Sequence, residues 1–151
     1  MTVRIQQADF DLTTEVAQLR AGCPQVGAIV SFVGTVRDMN DGSPVSEMAL
    51  EHYPGMTEKS IEAIIMQARS RWPIADALVI HRIGPLAPTA QIVLVAVAAA
   101  HRGEAFKACE YIMDYLKTQA PFWKKEQTPT GARWVDARSI DDAALEKWSG
   151  M

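Results

Sequence analysis

Nine consecutive apolar residues, Ile92 to Ala100, run almost directly into a segment of helical periodicity, and this junction constrains the fold more than any other part of the chain. A strand that is apolar at nearly every position needs cover on both faces. It is far too short for the ~20 residues that a bilayer span requires. From Gly103 to Ala120, the residues Ala105, Cys109, Ile112 and Leu116 recur at i, i+4, i+7 and i+11. Phe106, Met113 and Ala120 widen that stripe into an amphipathic face, and Pro121 ends the helix. A buried strand therefore stops where a long helix begins, at His101-Arg102-Gly103.

Around this centre the chain alternates between strand and helix patterns. Thr2–Ala8 alternates weakly, as an edge strand does, and Asp11–Arg20 reads as a short helix capped by Asp11 or Thr13 and stopped at Gly22. Val26–Val36 is rich in β-branched residues and predicts a strand, with Gly27 and Gly34 as bulges or points of close approach. After the turn-rich segment Met39–Pro44, Val45–Tyr53 is expected as its partner strand. Pro54-Gly55 breaks the chain, and Thr57 is placed to cap a helix whose Ile61, Ile64, Ile65, Ala68 and Trp72 share one face. Ala77–Ile83 and Gln91–Ala100 are strands joined through Gly84-Pro85 and Pro88. Phe122–Glu126 leaves the long helix extended, Thr128–Gly131 turns, Arg133–Ala137 makes a last strand, and Asp141–Trp148 a terminal helix. With no repeat and no linker in its 151 residues, the chain reads as one α+β domain with a largely antiparallel sheet.

Composition narrows the function classes. A hydrophobic fraction of 48% excludes disorder. A net charge of −3 argues against nucleic-acid binding through bulk charge. The N-terminal segment has no apolar run of the secretory kind, so Cys23 and Cys109 read as free thiols of a cytoplasmic protein. Charge is uneven. Residues 101–125 carry five basic and three acidic side chains, a net +2 on an acidic protein, which suggests a local anion site or a solvated helix surface.

The His101-Arg102-Gly103 junction is one place for such a site. The first N–H groups of a helix lack intrahelical partners, the dipole favours an anion, and arginine grips one bidentately. A surface ion pair beside a solvent-facing histidine is the plainer alternative. Lys117 emerges at the margin of the apolar face, where partial desolvation suits a lysine to proton transfer or oxyanion stabilisation; a last-turn lysine also simply favours the dipole. Phe122-Trp123-Lys124-Lys125-Glu126 could line a pocket for a flat anionic heterocycle or stack on single-stranded nucleic acid, and Arg37 ends its strand where it could enter a cleft. His52 and His81 read as hydrogen-bonded strand residues, and no Cys/His spacing supports a metal site. Cys109, on the apolar helix face, is expected in the core, whereas Cys23, between Gly22 and Pro24, could be exposed.

Taken together, GAIVSFVGTVRD (27–38), LEHYPGMTEKSIEAI (50–64), VIHRIGPL (79–86), AHRGEAF (100–106) and IMDYLKTQAPFWKKE (112–126) resemble the large, catalytic subunit of molybdopterin synthase. The resemblance spans residues 26 to 138. It implies an α/β hammerhead fold with an additional antiparallel sheet, and a sulfurtransferase of molybdenum cofactor biosynthesis with no cofactor or metal of its own. It implies transfer of two sulfurs to cyclic pyranopterin monophosphate from the thiocarboxylated Gly-Gly tail of a small ubiquitin-like subunit, within a heterotetramer built on a central dimer of large subunits. Matched by motif, Lys117 and Lys124 are the expected catalytic lysines. Arg37, His101 and Arg102 are expected to hold substrate, and Thr35, Val36, Lys125 and Glu126 lie in the same pocket-forming segments.

In one place the chain departs from this pattern: after Gly84, relatives commonly carry Gly and then an acidic residue, where this chain has Thr89-Ala90. A non-catalytic module for a phosphorylated ligand or partner tail, and a sulfurtransferase using its own cysteine persulfide, are the alternatives. The apolar faces are all assigned to the core, leaving no patch to nominate as a dimer interface.

Overall fold

The structure is a computed structural model that describes residues 1–40, 43–44, 47–129, 131–135 and 139–149. In chain order its elements are β1 (Thr2–Gln6), α1 (Leu12–Ala21), β2 (Ala28–Thr35), β3 (Met39–Asn40), β4 (Ser43–Pro44), β5 (Glu47–His52), α2 (Met56–Arg71), β6 (Ile74–Arg82), β7 (Gly84–Leu86), β8 (Gln91–Ala99), α3 (Arg102–Gln119), β9 (Phe122–Thr128), β10 (Gly131–Val135) and α4 (Ser139–Ser149).

Strand β8 is central to the first sheet, which runs β1-β6-β8-β2. Its two faces are both covered. Val93, Val95 and Val97 pack under α2 and α3, while Leu94, Ala96 and Ala98 meet Phe10, Leu19 and Cys23 beneath α1. The uninterrupted apolar run is thus the middle layer of an α/β/α sandwich, and alternation along the strand sends successive side chains to opposite cores. Only β1 runs parallel to its neighbour, β6; the other pairs in this sheet are antiparallel. Asp11 caps α1 by accepting from the Thr13 N–H at 3.2 Å.

A second antiparallel sheet, β10-β9-β5-β7, stands at the end of the first. Gly84, at φ 83, turns the chain from β6 into β7 and so from one sheet to the other. Here the structure corrects an expectation: β5 does not pair with β2, but lies between β9 and β7. Chain proximity favoured a hairpin, but β2 meets β8 along its length, and the inner face of β5, Met48 and Leu50, is buried in the larger core. Val45 and Ser46, assigned to this strand from sequence, lie outside the described residues, as does Ala137 of the last strand.

Gly27 and Gly34 are points of close approach, as expected. A Cβ on Gly27 would stand 2.5 Å from the Ala100 carbonyl oxygen, and one on Gly34 would stand 2.9 Å from the Val93 side chain. The β2–β8 register shifts at Gly34/Thr35. Thr57 does not cap α2. Gly55 occupies the cap, with the Glu58 carboxylate accepting its N–H at 3.2 Å. Thr57 is instead fully buried, its hydroxyl donating to the Pro121 carbonyl and accepting from the Tyr53 N–H, both at 2.9 Å. That bridge ties the start of α2 to the junction of α3 and β9. The Thr89-Ala90 departure also has a structural consequence: Thr89 stands at φ 74, the only non-glycine with positive φ among the described residues. Its N–H bonds to the Val36 carbonyl at 2.9 Å, which holds it in the left-handed region.

Phe106, expected on the buried stripe of α3, is 60% exposed. Phe32, on the edge strand β2 across which α3 packs, is 40% exposed. Both therefore remain partly outside the core. Cys23 is buried against Phe10 and Leu19 rather than exposed.

Candidate active site

Helix α3 leaves the end of β8 and runs back over it, so its two ends lie at opposite ends of the first sheet. The pairing of Thr35 with Gln91 and of Ala28 with Ala99 fixes the directions. Arg37, just past β2, stands at the Gln91 end, whereas His101 and Arg102 stand at the Ala99 end. Seven residue steps of strand separate those ends, roughly 23 Å at ~3.3 Å per residue. Eighteen residues of α3 span a similar length, ~27 Å at 1.5 Å per residue, and bring Lys117 back to the Gln91 end.

At that end α3 gives way to strand β9. Side chains of β9 alternate: Phe122, Lys124 and Glu126 face inward with Leu50 and Met48 of β5, while Trp123 and Lys125 face out. Lys124 is half-buried and Glu126 is buried. Lys125, grouped with Lys124 from sequence, is exposed on the opposite face of the sheet, because strand period separates consecutive residues. Thr35 is exposed beside Arg37. Val36 contributes no free group: its side chain is in the core, its N–H bonds to the Ala90 carbonyl, and its carbonyl accepts from Thr89. It serves to place Arg37. Lys117 is exposed rather than at a desolvated margin, since it lies on the flank of α3 beyond the buried arc.

One group at this end was read from sequence only as a structural histidine. His81, the penultimate residue of β6, is buried, and its ring stacks on Phe122 at 3.8 Å and 18°. Its Nδ1 lies 2.8 Å from the Arg82 carbonyl oxygen. A carbonyl can only accept, so the proton sits on Nδ1 and Nε2 keeps its lone pair. Burial drives the imidazole pKa down to about 4; the Arg82 carbonyl opposes this, while Lys117, Lys124 and His52 add to the fall. Lysines from α3 and β9 thus both act electrostatically on one buried ring.

The other end is simpler. His101 occupies the N-cap position of α3 with no side-chain cap bond, and Arg102 and Gly103 are exposed. A Cβ on Gly103 would meet nothing within 4 Å, so a ligand can approach the first turn. One chain therefore does not bring His101 and Arg102 to Arg37, Lys117 and Lys124.

The cysteines offer no sulfur carrier. Cys109 is buried, donates toward the Val95 carbonyl at 3.7 Å, and has its thiol pushed up to about 12, chiefly by burial. Cys23 is buried as well. Among the described residues no group of His, Cys, Asp and Glu could hold a metal ion, and no helix is long and apolar enough to cross a membrane.

A family model described as MoaE protein matches residues 5–119. The chain belongs to the MoaE family. It is similar to a molybdopterin synthase catalytic subunit of Ralstonia nicotianae, 69% identical over 97% of this chain and 84% of that one. Among solved structures, a molybdopterin biosynthesis MoaE protein from Burkholderia ambifaria superposes with a TM-score of 0.86 at 61% identity, covering 99% and 98% of the two chains. A molybdopterin synthase from Staphylococcus aureus gives 0.80 at 32% identity over 88% and 96%. MoaE membership makes this chain a sulfur-transferring enzyme of molybdenum cofactor biosynthesis, and its α+β architecture is that of MoaE structures. Arg37, His101, Arg102 and Lys117 fall within the matched MoaE region; Lys124, on β9, falls beyond it.

Proposed function

We propose that this chain, in the cytoplasm, transfers two sulfurs from the C-terminal thiocarboxylate of a small ubiquitin-like subunit to cyclic pyranopterin monophosphate. The observation that carries the reading is the convergence of Lys117 and Lys124, from different elements, on the buried His81 ring. The thiocarboxylate sulfur attacks a substrate carbon that bears an oxygen leaving group. A C–S bond forms as the C–O bond breaks, and the cyclic phosphate opens with the electron pair on its oxygen; water then adds to the acyl carbon and the acyl C–S bond breaks, leaving the sulfur on the substrate and a carboxylate on the tail. A lysine ammonium stabilises or protonates the leaving oxygen, and the second lysine holds the thiocarboxylate in its reactive, ionised form. Arg37 grips phosphate or pterin at the same end.

His101 and Arg102 join this site from a second copy of the chain. Their distance from Arg37 within one chain supports that assignment. A reconstituted assay with this chain, the thiocarboxylated small subunit and the cyclic pyranopterin tests the whole. Turnover should require all three components, and Lys117→Ala should lower it by about 10²-fold or more while the subunits still assemble. Mixing Lys117→Ala chains with Arg102→Ala chains should restore part of the activity, because one of the two sites in a mixed dimer is then intact. No turnover despite an assembled complex would point to a non-catalytic binding module; no restoration would place the complete site in one chain.

A further inference from the structure

We propose that His81 is a positioning residue of the sulfur-transfer site: a neutral imidazole whose Nε2 accepts a hydrogen bond from the Lys117 ammonium in the loaded complex and so fixes where that ammonium stands. The inference rests on the function proposed above. Its geometry is independent of the lysines themselves. Among the described residues the ring is held through Nδ1, which lies 2.8 Å from the Arg82 carbonyl oxygen. That bond and the Phe122 stack at 3.8 Å fix the ring from two directions and leave Nε2 as a pre-oriented acceptor.

The groups around His81 explain why an imidazole stands here. Lys117 on α3, Lys124 on β9 and His52 on β5 all act on it electrostatically. Across the sheet its register partners are Ile5 of β1 and Val93 of β8, both apolar. The charges that act on the ring are cationic, and they add to burial in keeping it neutral at working pH. A carboxylate in this position would orient a lysine but cancel its charge and repel both phosphate and thiocarboxylate. A neutral imidazole orients without cancelling. In the free chain Lys117 is exposed; the bond closes when substrate and tail dock, as catalytic hydrogen bonds commonly do.

Two substitutions separate positioning from packing. His81→Asn keeps a donor for the Arg82 carbonyl and loses the acceptor at Nε2; His81→Gln keeps an acceptor near Nε2. In the reconstituted synthase, His81→Asn should lower kcat by roughly 10- to 100-fold with KM for the pyranopterin little changed, and move the alkaline limb of the kcat–pH profile to lower pH. His81→Gln should recover most of both. Wild-type kcat in His81→Asn would overturn the inference, and so would equal losses in the two variants with an unmoved limb. A third measurement needs no turnover. On binding the thiocarboxylated small subunit with pyranopterin, the His81 Nε2 nitrogen resonance should shift upfield in the wild-type chain and not in Lys117→Ala. A resonance that stays in place on complex formation refutes the inference whether or not sulfur is transferred.

Discussion

Acidification should weaken this protein through His81. The ring is neutral in the folded chain with a pKa of about 4, against 6.5 for an exposed histidine. Between those values the unfolded chain binds a proton that the folded chain refuses. Stability therefore rises with pH across the window and falls as pH drops from 6.5 to 4. The difference of 6.5 − 4 = 2.5 units, at 1.36 kcal/mol each, amounts to about 3 kcal/mol by the lower end. That is a large share of the 5–15 kcal/mol typical of a domain. Asp9, held down by the Gln91 side chain and then by the Phe10 N–H, sits below its ordinary 3.8 and contributes only under more acid conditions. Urea unfolding of the wild-type chain and His81→Phe at fixed protein concentration, from pH 7.5 to 4, reads the effect directly. The phenyl ring retains the stack on Phe122 and has nothing to titrate, so the two stability curves should converge as pH falls from 6.5 to 4. Parallel curves through that window would refute the reasoning, since any other histidine is common to both proteins.

Other substitutions test the supports of the site. Thr57→Val, nearly isosteric, leaves the Tyr53 N–H and Pro121 carbonyl without partners and should cost about 1–3 kcal/mol in denaturant unfolding. Thr89→Gly should stabilise by up to ~1 kcal/mol, because φ 74 suits glycine, and thermal melts will show whether the left-handed turn is strained. The double change Cys23→Ala, Cys109→Ser should retain sulfur transfer in the fraction that folds, since both thiols are buried and the Cys109 thiol is driven up to about 12; loss of transfer with the fold intact would reinstate a persulfide route.

Much of this was legible in the chain itself because it depends on local pattern. Period 3.6 along Ala105–Leu116 marks the buried stripe of α3, and an unbroken apolar run marks β8 as covered on both faces. The Asp11 cap and the close approaches at Gly27 and Gly34 follow from residue chemistry that any register must satisfy. Misreadings occurred where two long-range solutions share one pattern. The segment around Glu47–His52 suits a hairpin with β2 as well as a seat between β9 and β7, and only the shared burial of Met48 and Leu50 in the larger core selects the second. Thr57 shows both helix-cap chemistry and buried hydroxyl chemistry until Pro121, 64 residues away in sequence, arrives beside it.

By itself the sequence determined which residue types could bind an anion, move a proton or pack, and its resemblance to a family made Lys117, Lys124, Arg37, His101 and Arg102 the expected site residues. Only the tertiary structure decided which of them meet. Strand alternation sends Lys125 away from Lys124, and the antiparallel course of β8 and α3 returns Lys117 to Arg37 while leaving Arg102 at the far end. His81 is the clearest case. In sequence it is one histidine in a strand, and its neutrality comes from burial, a stacked ring and two lysines that only folding brings around it.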